Sequence, residues 1–165
     1  MRLLPGIAAA LFSIAWAQSR PAEEKPLPPQ PIPFSHKTHT ALGVKCLDCH
    51  SIPKPGFAAG LPKEATCMGC HTRMKTENPA VQTLAEYFKA RRPVPWVRVY
   101  RVPDYVWFSH ESHHKDAAIA CETCHGPVGK RDVITKEKPT SMASCMECHA
   151  ALKVPNECNF CHETR

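Results

Sequence analysis

Every cysteine of this 165-residue chain stands in the pattern Cys-x-x-Cys-His. The thiols fall in five pairs: Cys46 and Cys49, Cys67 and Cys70, Cys121 and Cys124, Cys145 and Cys148, and Cys158 and Cys161. Each pair is followed directly by a histidine, in order His50, His71, His125, His149 and His162. Two thiols at this spacing can add across the two vinyl groups on one edge of a porphyrin. The next side chain then swings beneath the iron as its proximal ligand. This is the attachment signature of c-type haem, and five copies predict five covalent haems.

Cys-x-x-Cys by itself has other uses. It can serve as a zinc knuckle, a redox dithiol or a disulfide clip. Zinc sites pair two such units into four-donor sets and do not need histidine directly after the second cysteine. A disulfide scaffold would space its cysteines irregularly and would not favour so small a ring. Five repeats of the histidine choose haem.

An iron has a second axial position, and its occupant decides the chemistry. Five histidines lie outside the motifs: His36, His39, His110, His113 and His114. Phe34-Ser35-His36-x-x-His39 precedes Cys46, and Phe108-Ser109-His110-x-x-His113 precedes Cys121. On a helix, residues three apart share a side, about 5–6 Å between Cβ atoms. Each pair would then reach two different haems and hold them close, which makes His36, His39, His110 and His113 the distal candidates. One iron remains. Met142, three residues before Cys145 in a loop bearing proline and serine, is the preferred fifth ligand, with His114 and Met74 as alternatives. Met68 and Met146 lie inside attachment motifs, beneath their own macrocycles.

The elements that must position these residues are short. Residues 1–17 read as a secretory signal peptide: Arg2, an apolar stretch, then Ala15-x-Ala17 as a cleavage site. The stretch falls short of the roughly 20 residues that span a bilayer. Residues 18–33 are a proline-rich tether. Residues 34–77 form a two-haem module and 108–165 a three-haem module; Ala65-Thr66-Cys67-Met68 and Ala143-Ser144-Cys145-Met146 extend the repeat. Between them, residues 78–107 hold a helix, capped by Asn78 with Pro79 first and ending near Arg92. Val81, Leu84, Ala85 and Phe88 share one of its faces. Pro93 to Pro103 alternates and is extended, but its prolines argue against a central strand. The expected fold is a small multihaem cytochrome c, mostly irregular with short α-helices and little β, packed around five haems. Porphyrins would supply apolar mass that a chain this small cannot bury by itself.

The formal charge is +6. Five haems bring about ten propionates, partly offset by their ferric cores, so the basic residues read as propionate partners and solvated surface rather than a nucleic-acid face. Arg91, Arg92, Arg98 and Arg101, between the modules, are candidate propionate clamps.

The phenylalanine-led histidine pairs ahead of haem motifs resemble the class III multihaem cytochromes c. A closer likeness runs over residues 32–149. It rests on Ile32-Pro33-Phe34-Ser35-His36-x-x-His39, Pro95-Trp96-Val97-x-Val99, Pro103-Asp104-Tyr105-Val106-x-Phe108-x-His110-x-x-His113, Cys124-His125-Gly126-Pro127 and Ser141-Met142-x-x-Cys145. These segments are similar to the pentahaem subunit of alternative complex III, a bacterial quinol:electron-acceptor oxidoreductase. The resemblance implies distal ligation by His36, His39, His110 and His113, and by Met142. It also implies a relay from an iron–sulfur subunit towards a monohaem cytochrome c or an oxidase, with peripheral attachment to the membrane through the complex. Two departures stand out: the chain opens with a cleavable-looking leader where the family has a membrane span, and Ser144 replaces an aromatic residue before the fourth motif.

The sequence reading is therefore a periplasmic pentahaem c-type cytochrome that relays electrons and has no catalytic centre of its own. One rival is a multihaem reductase of the nitrite or hydroxylamine type, which needs an open haem position; another is a structural subunit of a haem-protein assembly. None of the five motifs is unusual, and there are candidate ligands for every iron.

Overall fold

A computed structural model describes residues 29–54 and 56–163. The expected signal peptide and most of the proline-rich tether fall outside them. Each attachment motif opens or occupies its own helix. The elements are α1 (His36–Ala41), α2 (Cys46–Cys49), α3 (Glu64–His71), α4 (Pro79–Lys89), α5 (Cys121–His125), α6 (Met142–Leu152) and α7 (Cys158–Cys161). A π-helical turn covers Glu111–Asp116 and a 3-10 turn covers Val128–Lys130. No strand occurs among the described residues. The expected fold class, short helices in irregular chain, is the one observed.

Local chemistry sets these elements. Ser35 caps α1 by accepting from the Thr38 N–H at 3.1 Å, and Asp48 folds back onto the Lys45 N–H at 2.7 Å to hold α2. Asn78 caps α4 through the Ala80 N–H at 2.9 Å, with Pro79 at the first position as expected. This helix stops at Lys89, short of Arg92. Two expectations need correcting. Met142 does not lie in a loop: Ser141 accepts from the Ser144 N–H at 3.3 Å, which makes Met142 the first residue of α6. The second histidine pair lies not on an α-helix but at a π-helical turn, with His110 just before it. Its spacing survives because the His113 N–H still reaches the Ser109 carbonyl, as the His39 N–H reaches Ser35.

Among the described residues the core is Ile32, Met68, Leu84 and Val94, with Trp96 and Tyr87 packed against them. It lies where α3 meets α4. Met68 is thereby explained as packing. The extended stretch after α4 forms no ladder, since Pro93 and Pro95 have no N–H to give. Instead the Gln30 side chain donates to the Val97 carbonyl at 2.9 Å and accepts from its N–H at 3.0 Å. Apolar side chains around the motifs, among them Leu47, Phe57, Met146 and Phe160, stay exposed to solvent. Such surface needs a cover that the described residues do not supply.

The two halves are interlocked. In one direction, α1 docks on the 3-10 turn that follows the third motif: the Lys37 N–H donates to the Arg131 carbonyl at 3.0 Å, and Thr40 Oγ1 donates to the Gly129 carbonyl at 2.7 Å. Ser35 Oγ donates to Asp132 at 2.6 Å beside them. In the other direction, the π-turn docks on the loop that follows the first motif. The His110 N–H donates to the Gly56 carbonyl at 2.7 Å, and Lys115 Nζ to the Ile52 carbonyl at 3.3 Å.

Candidate haem-binding sites

Four imidazole pairs face each other across gaps of nearly one width. The ring centres of His36 and His50 are 6.2 Å apart, and those of His39 and His71 are also 6.2 Å apart. His110 and His125 are 6.4 Å apart, and His113 and His149 6.1 Å. Each pair joins one histidine from an attachment motif to one from a phenylalanine-led repeat. The ring planes, by contrast, differ by 10°, 65°, 6° and 46°. Fixed distance with free rotation is what two rings on a shared nitrogen–metal–nitrogen axis would show. With metal–imidazole bonds of about 2.0–2.1 Å and about 1.1 Å more to each ring centre, trans ligands would lie roughly 6.3 Å apart. The gaps fit a six-coordinate iron whose equatorial donors come from a porphyrin.

The orientation of the rings supports the fit. Nδ1 of His39 faces the Ser35 carbonyl at 2.8 Å, and Nδ1 of His113 faces Ser109 at 2.7 Å. Nδ1 of His50, His71 and His149 faces the carbonyls of Gly60, Met74 and Pro155 at 2.9, 3.0 and 2.6 Å. A carbonyl on Nδ1 fixes the tautomer and leaves Nε2 free to ligate. His36 differs: its Nδ1 is buried without a partner. The phenylalanines pack on these rings alike in both repeats. Phe34 lies edge-on to His36 at 4.8 Å and stacks on His39 at 4.4 Å; Phe108 does the same with His110 at 4.8 Å and His113 at 4.7 Å.

Burial sets the protonation states. It pushes His36 down to about 4, helped by His50 and His39. Burial also lowers His110, and it lowers His125, with His110 and His50 adding to the effect there. Neutral imidazole is the form that binds metal. Burial raises the thiols of Cys49, Cys67, Cys121, Cys124 and Cys145, the reverse of a reactive dithiol. No disulfide joins any of the ten cysteines, and no three His, Cys, Asp or Glu side chains converge among the described residues as a zinc site requires.

The fifth motif stands apart. His162 has its Nδ1 on the Glu163 carbonyl at 3.0 Å, and Trp107 donates its N–H to the Cys161 carbonyl at 2.7 Å. No imidazole faces His162 among the described residues. Met142 is 67% exposed at the start of α6, and Met74 is exposed too. His114 is half-buried, and its Nδ1 meets the Ile119 carbonyl at 3.0 Å, the same orienting contact that the paired histidines have.

Tyr100 is a site residue that sequence reasoning missed. Its ring stands edge-on to His125 at 4.5 Å. Its hydroxyl donates to the Cys124 carbonyl at 3.2 Å and accepts from the Glu137 N–H at 2.7 Å. No spacing signal marks it, because these partners come from distant segments. Of the four arginines between the modules, Arg92 lies over the Tyr87 ring at 5.7 Å.

Facing imidazole pairs on Cys-x-x-Cys-His motifs, carried by short helices with a very small core among the described residues, mark a multihaem c-type cytochrome. The family described as "Class III cytochrome C family" matches residues 14–91, and "Cytochrome c7 and related cytochrome c" matches residues 106–163. The chain is 33% identical over 156 residues to the multihaem cytochrome c subunit of a menaquinone reductase of Nitratidesulfovibrio vulgaris, spanning 80% of this chain and 74% of that relative. It belongs to the same family of multihaem cytochromes c.

Proposed function

We propose that the chain is a pentahaem electron-relay subunit of a quinone-linked respiratory complex, held at the outer face of the cytoplasmic membrane. The observation that carries the relay is the set of four facing histidine pairs at 6.1–6.4 Å, a separation at which each pair would hold one haem iron between its rings. Bound haem supplies a reversible one-electron iron couple. The chain does the rest. Cysteine thiols tether each group, and His50, His71, His125, His149 and His162 serve as proximal ligands. His36, His39, His110 and His113 close the far side, which excludes substrate and water from the metal. Backbone carbonyls on Nδ1 fix ring orientation and ligand basicity, and so the potential.

Met142 serves as the fifth distal ligand, since α6, which it opens, lies beside the fifth motif, the His149 ring 6.2 Å from Phe160. His114 is a second reading, favoured by its hydrogen bond to Ile119. The leader at residues 1–17 carries the chain to the periplasm, where haem attachment takes place. The partner class follows from the relative, a menaquinone reductase subunit, and from the likeness to alternative complex III: a quinone-reactive assembly on one side, and an iron–sulfur protein, monohaem cytochrome or oxidase on the other. The duplicated modules, 34–77 and 108–165, hold two and three haems.

The test is purification of the native protein from membranes with identification of what co-purifies, followed by mixing with a reduced menaquinone analogue. Co-purifying complex subunits and haem reduction through them are expected. A lone protein that no quinol-linked route reduces would refute the assignment to a complex.

A further inference from the structure

The two-way interlock decides which haem sites adjoin, and its answer differs from sequence order. α1 carries the distal candidates of the first and second sites and docks on Val128–Lys130, just after the third motif. The π-turn carries or adjoins those of the third and fourth sites and docks on the Ile52 and Gly56 carbonyls, just after the first motif. The first and third sites therefore meet between the halves. The Lys37 N–H on the Arg131 carbonyl and the His110 N–H on the Gly56 carbonyl close this junction from both sides. Outward from this junction, α1 ties the first site to the second, since its His36 faces His50 and its His39 faces His71. On the other side His110 and His113, three residues apart, tie the third site to the fourth, and the His149 ring lies 6.2 Å from Phe160 of the fifth motif.

We infer that the sites form one line in the order second, first, third, fourth, fifth, so that redox partners exchange electrons at the second site, beside α3 and α4, and at the fifth, on α7. The inference rests on the five-haem reading above. Each transfer along the line oxidises one ferrous iron to ferric and reduces its neighbour from ferric to ferrous, with no bond made or broken. A reduced one-electron metalloprotein at one end and an oxidised one at the other supply and remove the electron.

Two substitutions that keep a ligand at iron test the order. His36→Met and His39→Met each raise the potential of their own site, since methionine ligation does so. Through haem–haem interaction each also moves the potentials of adjoining sites. In the inferred line the first site is interior and the second is terminal. A redox titration resolving the individual haems should show His36→Met moving two other potentials and His39→Met moving one. The reverse, one for His36→Met and two for His39→Met, is what sequence order gives, and it overturns the inference. Should either variant lose its haem, an engineered disulfide decides. An ideal Cβ at Gly129 stands 3.5 Å from Thr40 Cβ, within the disulfide range of about 3.5–4.5 Å. Thr40→Cys with Gly129→Cys should cross-link in the mature protein, and a holo-protein with both thiols free would overturn the inference. A wild-type haem count below five would instead sink the functional reading.

Discussion

Gly43 and Gly56 have almost the same positive φ, 86° and 85°, in surroundings that differ completely. A Cβ on Gly43 would meet nothing within 4 Å, whereas one on Gly56 would run into Glu111 Cβ and approach the Glu111 nitrogen at 3.1 Å. Gly43→Ala isolates the strain of a left-handed alanine, about 1–2 kcal/mol. Gly56→Ala adds overpacking against the π-turn, about 1–3 kcal/mol more. For a chain this size 1 kcal/mol moves Tm by about 2–4 °C. Thermal melts of the oxidised holo-proteins should therefore place Gly56→Ala roughly 2–12 °C below Gly43→Ala. A second readout separates the interlock from generic damage. The Gly56 carbonyl accepts from the His110 N–H, and the Phe57 carbonyl faces His110 Nδ1 at 3.4 Å. Gly56→Ala should thus shift the resonance signature of the third haem site, while Gly43→Ala should leave it in place. Equal melting losses with an unchanged third site would refute the claim that the loop after the first motif seats the second histidine pair.

Mass spectrometry of the mature protein should show five haem additions and no thiol that reacts with an alkylating reagent; fewer additions would break the link between motif and cofactor. The oxidised protein should show one weak near-infrared methionine-to-iron band, which Met142→His removes while lowering one potential. If Met142→Ala keeps the band, Met74 is the next ligand to test; a wild type without the band assigns the site to His114. Carbon monoxide added to the reduced protein should leave the spectrum unchanged at the four paired sites, and full occupancy by an exogenous ligand at any of them would favour the reductase reading. His113→Ala should open the fourth site to carbon monoxide, since it removes the ring 6.1 Å from His149.

The attachment chemistry lay in the sequence because it is local. Two thiols and a histidine within five residues would reach one porphyrin whatever the rest of the chain does. The histidine pairs were legible for a similar reason: a spacing of three sets both rings on one side of a helical turn. Capping by Asn78 and Pro79 made α4 visible in the same way. Partner choice was another matter. That His36 faces His50 while His39 faces His71 depends on where α1 lies relative to two other helices, and no spacing encodes that. Met142 was misplaced into a loop because Ser141 reads equally as loop residue or cap until the Ser144 N–H is seen to turn onto it. Tyr100 was missed because Cys124 and Glu137 approach it from 24 and 37 residues away. The interlock needed the tertiary structure most of all. It depends on backbone carbonyls at Gly56, Gly129 and Arg131, groups that every residue carries and that only the packing of one half on the other brings to their donors.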